Sequence, residues 1–137
     1  MFNTENIYMI KAECNINIDE LEQYFKTGEK KRPPIGLRGE NSVNLQVSDN
    51  LKAAIATITT NVESSPSSFL KGTFVLRAEY SIHDAGGLKP DDIYEAFERE
   101  KIKDLVKEMV KKINDIGETM ACPFLALPEE IDIPFSK

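Results

Sequence analysis

Leu70-Lys71-Gly72-Thr73-Phe74-Val75-Leu76-Arg77-Ala78-Glu79-Tyr80-Ser81-Ile82 places an apolar residue or glycine at every even position, and polar residues at every odd one except Val75. A period of two marks a β-strand with one dry face. The alternation stops at His83-Asp84-Ala85-Gly86-Gly87, and Pro90-Asp91-Asp92 then supplies a proline and two acids, the residue types that open a helix. Beyond it Ile102, Leu105, Val106, Met109, Val110, Ile113 and Ile116 recur at spacings of three and four, which stacks them in one helical stripe. Ile93 and Phe97 are out of register with that stripe, which predicts a short helix over 91–98 bending into a long one over 99–120. This change of period, from strand to helix, decides the fold class.

Working back from Leu70, the cluster Ser64-Ser65-Pro66-Ser67-Ser68 reads as a hairpin loop. Before it, the β-branched run Ile55 to Val62 and the alternation Val43, Leu45, Val47 predict two more strands, separated by Asp49-Asn50. From Tyr8 to Ile18 every even residue is apolar, which predicts a long first strand with Tyr8, Ile10, Ala12, Cys14, Ile16 and Ile18 on its dry face. Residues 19–41 lose the alternation and read as a connection with a turn of helix at Glu20 to Phe25. After the long helix, Cys122-Pro123-Phe124-Leu125-Ala126-Leu127-Pro128 and Ile131 to Phe135 read as an extended apolar tail, because its prolines exclude a helix. The expected architecture is α+β, a four-stranded antiparallel sheet covered on one face by a long C-terminal helix. It forms one domain over residues 1–137. Such a sheet leaves two edges and a helix surface to protect, so self-association through helices or strand edges is expected.

The 137 residues carry 17 Lys plus Arg against 23 Asp plus Glu, a net charge of -6, and 41% are hydrophobic. That excess has the wrong sign for phosphate, which argues against nucleic-acid or anionic-membrane binding. Lys26, Lys30, Lys31, Arg32 and Arg38 form a basic stretch without interleaved aromatics or a groove-reading helix, and read as a solvated loop. No apolar run is long enough to cross a bilayer, and Met1 to Glu13 is polar where a signal peptide is apolar; membrane insertion is not expected, and a cytoplasmic location is. Two separate cysteines, Cys14 and Cys122, read as reduced thiols, and with the single histidine His83 they exclude a four-ligand zinc site. His83 reads as the polar end of a strand, with no nucleophile elbow to serve. No phosphate-binding glycine motif or metalloprotease helix occurs, and Asp91-Asp92 and Glu129-Glu130 read as solubilising charge. An enzyme is therefore not expected, and no metal or cofactor.

The C-terminal third carries a resemblance. An amphipathic helix, then Pro123-Phe124-Leu125-Ala126-Leu127-Pro128 and Ile131-Asp132-Ile133, with Val75 to Ile82 as the last long strand before the helix, resembles the protein-export chaperone SecB and its relatives over about residues 74–133. The resemblance implies an ATP-independent holdase for unfolded or partly folded polypeptide, assembled as a dimer or a dimer of dimers. It implies polypeptide binding by Phe124, Leu125, Leu127 and Ile131, an oligomer interface at Leu105, Met109 and Ile113, and partner or motor contacts at Glu13 and Glu79. In the exporter the apolar segment continues into a further helix that contributes to SecA binding, whereas this sequence stops at Lys137, which counts against SecA as a partner. Two alternatives stand beside this reading. One is a regulatory module on the same fold with one protein partner, as in toxin-antitoxin or phage-derived systems; in the other, Phe124, Leu125 and Leu127 pack on the sheet as core.

Overall fold

A computed structural model of the chain describes residues 1–26, 36–65 and 68–119. In chain order these form β1 (Phe2–Ile16), α1 (Ile18–Lys26), β2 (Gly36–Val47), β3 (Ala53–Ser65), β4 (Leu70–Ile82), α2 (Pro90–Glu100) and α3 (Ile102–Thr119). The four strands make one antiparallel sheet in the order β1-β4-β3-β2, so β1 and β2 are its edges. The α+β class and the four antiparallel strands agree with the sequence reading. The expected apolar tail after the long helix lies outside the described residues.

Register explains how the dry face forms. Val43, Ile58 and Leu76 lie side by side across β2, β3 and β4, as do Leu45, Ala56 and Ala78, and all six are buried. The same rows reach Met9 and Ile7 on β1. Onto this face Phe97 of α2 brings an aromatic cluster, with ring centroids 5.5 Å from both Phe2 and Tyr80, in edge-to-face geometry. The stripe Ile102, Leu105, Val106, Met109, Val110 and Ile113 of α3 is buried in the same core, and α3 touches β3 and β4. The predicted bend between helices falls at Lys101, whose N–H donates back to the Phe97 carbonyl at 2.8 Å while its own carbonyl accepts from Leu105. At the other end of α2, the Lys89 N–H donates to the Asp92 carboxylate at 3.0 Å, so one of the paired acids closes the helix start.

Three differences from the sequence reading have physical causes. First, β1 begins at Phe2 and changes phase twice: its pairing with β4 skips one residue between Thr4 and Asn6 and another between Met9 and Lys11. These two bulges leave Glu5 and Ile10 without opposite numbers. Thr4, Ile7, Met9, Ala12 and Cys14 thus share the core-side rows, whereas Tyr8 stands opposite Arg77 on the other face and its hydroxyl donates to Glu79 at 2.9 Å. Ile18 belongs not to the strand but to α1, which Asn17 caps by accepting the Glu20 N–H at 3.2 Å. Second, β2 starts at Gly36, so Arg38 stands in a strand instead of a loop. Third, Leu105, Met109 and Ile113 are 1%, 1% and 0% exposed, packed within the chain's own core where a second copy was expected to meet them.

Two predictions follow from this packing. A Cβ on Gly72 would meet the Glu13 carbonyl at 3.0 Å and the Phe74 ring and Val62 methyl at 3.1 Å, one being backbone and the other two buried core side chains. Gly72→Ala is expected to destabilise by about 1–3 kcal/mol in urea unfolding. Burial pushes the Tyr80 phenol up to about 12, with the Asp104 carboxylate adding to the effect. Because the fold holds the neutral phenol, this contribution is complete below the ordinary tyrosine value near pH 10 and is lost as pH rises towards 12. Tyr80→Phe keeps the ring cluster and should move the onset of alkaline unfolding, followed by circular dichroism, to higher pH.

Candidate functional site

Among the described residues, the sheet has a face that α2 and α3 leave open and two edges, β1 and β2. The open face is polar. Glu40, Asn61, Thr73 and Glu13 form one row across all four strands, and Arg38, Glu63, Lys71 and Asn15 form the next. Both rows line a shallow cavity of ≈ 690 Å³. Within it Thr73 donates to the Asn61 carboxamide oxygen at 2.9 Å. The Ser68 hydroxyl donates to Glu63 and holds its carboxyl below the usual value, an effect that partial burial opposes and that Lys71 and Arg38 reinforce. Cations and carboxylates are interspersed, so this face has no single sign of potential.

Glu13 and Glu79, expected as partner contacts, both stand on the open face. Glu13 lies opposite Thr73 and Glu79 opposite Asn6, six β4 residues apart, which is about 20 Å along the strand. The fold does not bring them into one site. Glu13 pairs with Lys11 at 3.4 Å, an exposed ion pair of small energetic value, and Glu79 is engaged by Tyr8. His83 follows β4 as an exposed residue, its Nε2 3.2 Å from the Ser81 hydroxyl, which itself donates to Glu5. Phe124, Leu125, Leu127 and Ile131 lie outside the described residues. Among the described residues no group of three metal-ligating side chains converges, and no helix is long and apolar enough to cross a membrane.

The edges carry what the sequence reading missed. Ile10, Ile16 and Ile18 are 48%, 42% and 65% exposed, and all three belong to β1 or to the α1 start that follows it. The bulge at Ile10 removes it from the pairing, and Ile16 ends a strand whose outer side no described strand flanks. On the opposite edge, Asn41 of β2 is only 6% exposed. Its carboxamide oxygen accepts from the Thr60 hydroxyl, and its Nδ2 is buried without a partner. The odd-numbered positions Leu37, Val43, Leu45 and Val47 were the available signal for β2, interrupted by Gly39 and Asn41.

No protein-family model and no curated protein matches the sequence. Among solved structures, the fold is similar to Rv1957, a SecB-like chaperone of Mycobacterium tuberculosis, solved in complex with a ChAD peptide from the HigA1 antitoxin Rv1956. The likeness has a TM-score of 0.67 and 12% sequence identity, and covers 95% of this chain and 88% of that one. A protein of unknown function from Streptococcus agalactiae matches at a TM-score of 0.35 and 9% identity, over 93% of this chain and 97% of that one. The fold of this chain is therefore SecB-like.

The exposure of the isoleucines sets a direct expectation. Ile10→Lys with Ile18→Lys should leave the unfolding free energy of the dissociated, monomeric chain within about 0.5 kcal/mol per site, as measured by chemical denaturation at low protein concentration. A larger loss would mean that these side chains carry core packing.

Proposed function

We propose that the chain binds polypeptide on a SecB-like scaffold and works as an assembly of copies of itself. The observation that carries this reading is the likeness over 95% of the chain to a SecB-like chaperone solved with a peptide from an antitoxin. The arrangement of surfaces supports it. A sheet whose two edge strands pair with nothing further among the described residues offers main-chain hydrogen bonds without sequence readout, and exposed isoleucines supply apolar contact. The net charge of -6 keeps such a surface soluble. The proposed role is binding without catalysis, in the cytoplasm.

Self-association is assigned to the exposed side chains of Ile10 and Ile16 on β1 and Ile18 at the α1 start, and not to Leu105, Met109 and Ile113, which the core already uses. Client contact by Phe124, Leu125, Leu127 and Ile131 remains part of the proposal. A second reading, one dedicated protein partner, is favoured by the neighbour's antitoxin peptide. SecA delivery finds no support in that comparison.

Aggregation assays separate the two readings. A general holdase at stoichiometric concentration suppresses the aggregation of several unrelated denatured proteins, whereas a dedicated module protects at most its own partner. Leu125→Asp with Leu127→Asp should abolish capture while leaving the assembly folded. For assembly, native mass measurement should give a dimer or a dimer of dimers, reduced in mass by Ile10→Lys with Ile18→Lys. A monomeric unmodified chain at micromolar concentration would remove the assembly.

A further inference from the structure

The two sheet edges are not equivalent. Along β1 the pairing with β4 is broken by two bulges, and the charged residues Lys11 and Glu13 follow the second one. Bulges and edge charges both discourage another strand from adding. Along β2 the pairing with β3 is unbroken from Gly36–Ser65 to Val47–Ala54. The strand holds no proline and no lysine, and its only charges, Arg38 and Glu40, lie in its first half. Among the described residues its outer edge pairs with nothing. It is the regular template of the two.

Asn41 sits in the middle of this template, in the row formed by Ala12, Phe74 and Thr60. A buried amide with one polar atom engaged and the other orphaned is costly, because the orphan has given up water for nothing. Its oxygen is turned to Thr60 on β3, so the planar carboxamide directs its NH2 away from β3. Exchanging the two amide atoms would only exchange which one is orphaned. An extended backbone satisfies either, since it presents N–H and C=O groups alternately.

We propose that β2 is an acceptor edge on which an extended polypeptide adds as a fifth strand, with a main-chain group of that polypeptide completing the hydrogen bonding of Asn41. This rests on the polypeptide-binding reading above and gives it a mode: main-chain pairing on β2, leaving the exposed isoleucine side chains of β1 and the α1 start for contact with a second copy. Recognition of this kind reads the backbone first and side chains second.

The test is hydrogen exchange on the full chain, with and without reduced, carboxymethylated α-lactalbumin as the unfolded probe. Binding should slow exchange at alternate amides of β2 between Leu37 and Gln46, and Asn41→Leu should weaken the probe's affinity about threefold to tenfold. Binding without any change at β2, or with protection confined to β1, overturns the acceptor edge and leaves polypeptide binding intact. Failure to bind the probe at all overturns both. Should Asn41→Leu not fold, the exchange pattern of the unmodified chain decides alone.

Discussion

The ladder between β3 and β4 is the constraint on which the remaining elements depend. It runs without a break from Ala53–Ser81 to Glu63–Lys71, and it places the even residues of both strands on one face. Ile58 beside Leu76 and Ala56 beside Ala78 then define a dry surface two strands wide. Each edge strand extends it by one strand, and α2 and α3 join the core on that side through Phe97 and the α3 stripe. Gly72 belongs to the same ladder: the Phe74 ring and the Val62 side chain occupy the space a side chain there would need. Polar groups that fall on the dry face, such as Asn41 and Thr60, must find partners inside it.

Much of this was legible in the sequence where one period ran undisturbed. β4 has the bounds its alternation predicts, and the stripe from Ile102 to Ile113 and the misfit of Phe97 located both helices and the bend between them. Legibility failed where the chain departs from a fixed period. In β1 two single-residue insertions restore by geometry a face that simple counting puts elsewhere, so Tyr8 was assigned to the wrong side. In β2 a glycine and an asparagine interrupt the apolar positions, and the strand read as a loop up to residue 41. For the candidate site the failure is different. A helical stripe of Leu, Met and Ile looks the same whether it faces the chain's own sheet or a neighbour, and only the burial of Leu105, Met109 and Ile113 tells them apart. The edges have no sequence signature, because being an edge is a property of topology.

The asymmetry between the two faces bears on function. One face is consumed by the core, and the other mixes cations and carboxylates in adjacent rows, so neither offers a continuous apolar surface among the described residues. What the described residues leave for polypeptide is the periphery, backbone at the edges together with a few isoleucines. Main-chain hydrogen bonds are common to all sequences, which suits the proposed binding of an unfolded chain. A dedicated partner would add selectivity through side-chain pockets on the same edge.

The bulges of β1 have a consequence for how this fold varies over evolutionary time. Glu5 and Ile10 are residues that the ladder already carries without using. A deletion or insertion of one residue beside either position changes the bulge and leaves the neighbouring strands in place, whereas the same event in β3 or β4 would turn a whole dry face outward. Chain-length drift is therefore expected to collect in the first strand. An alignment that forbids gaps there would misplace every residue before Lys11 and lose a likeness that the backbone still records.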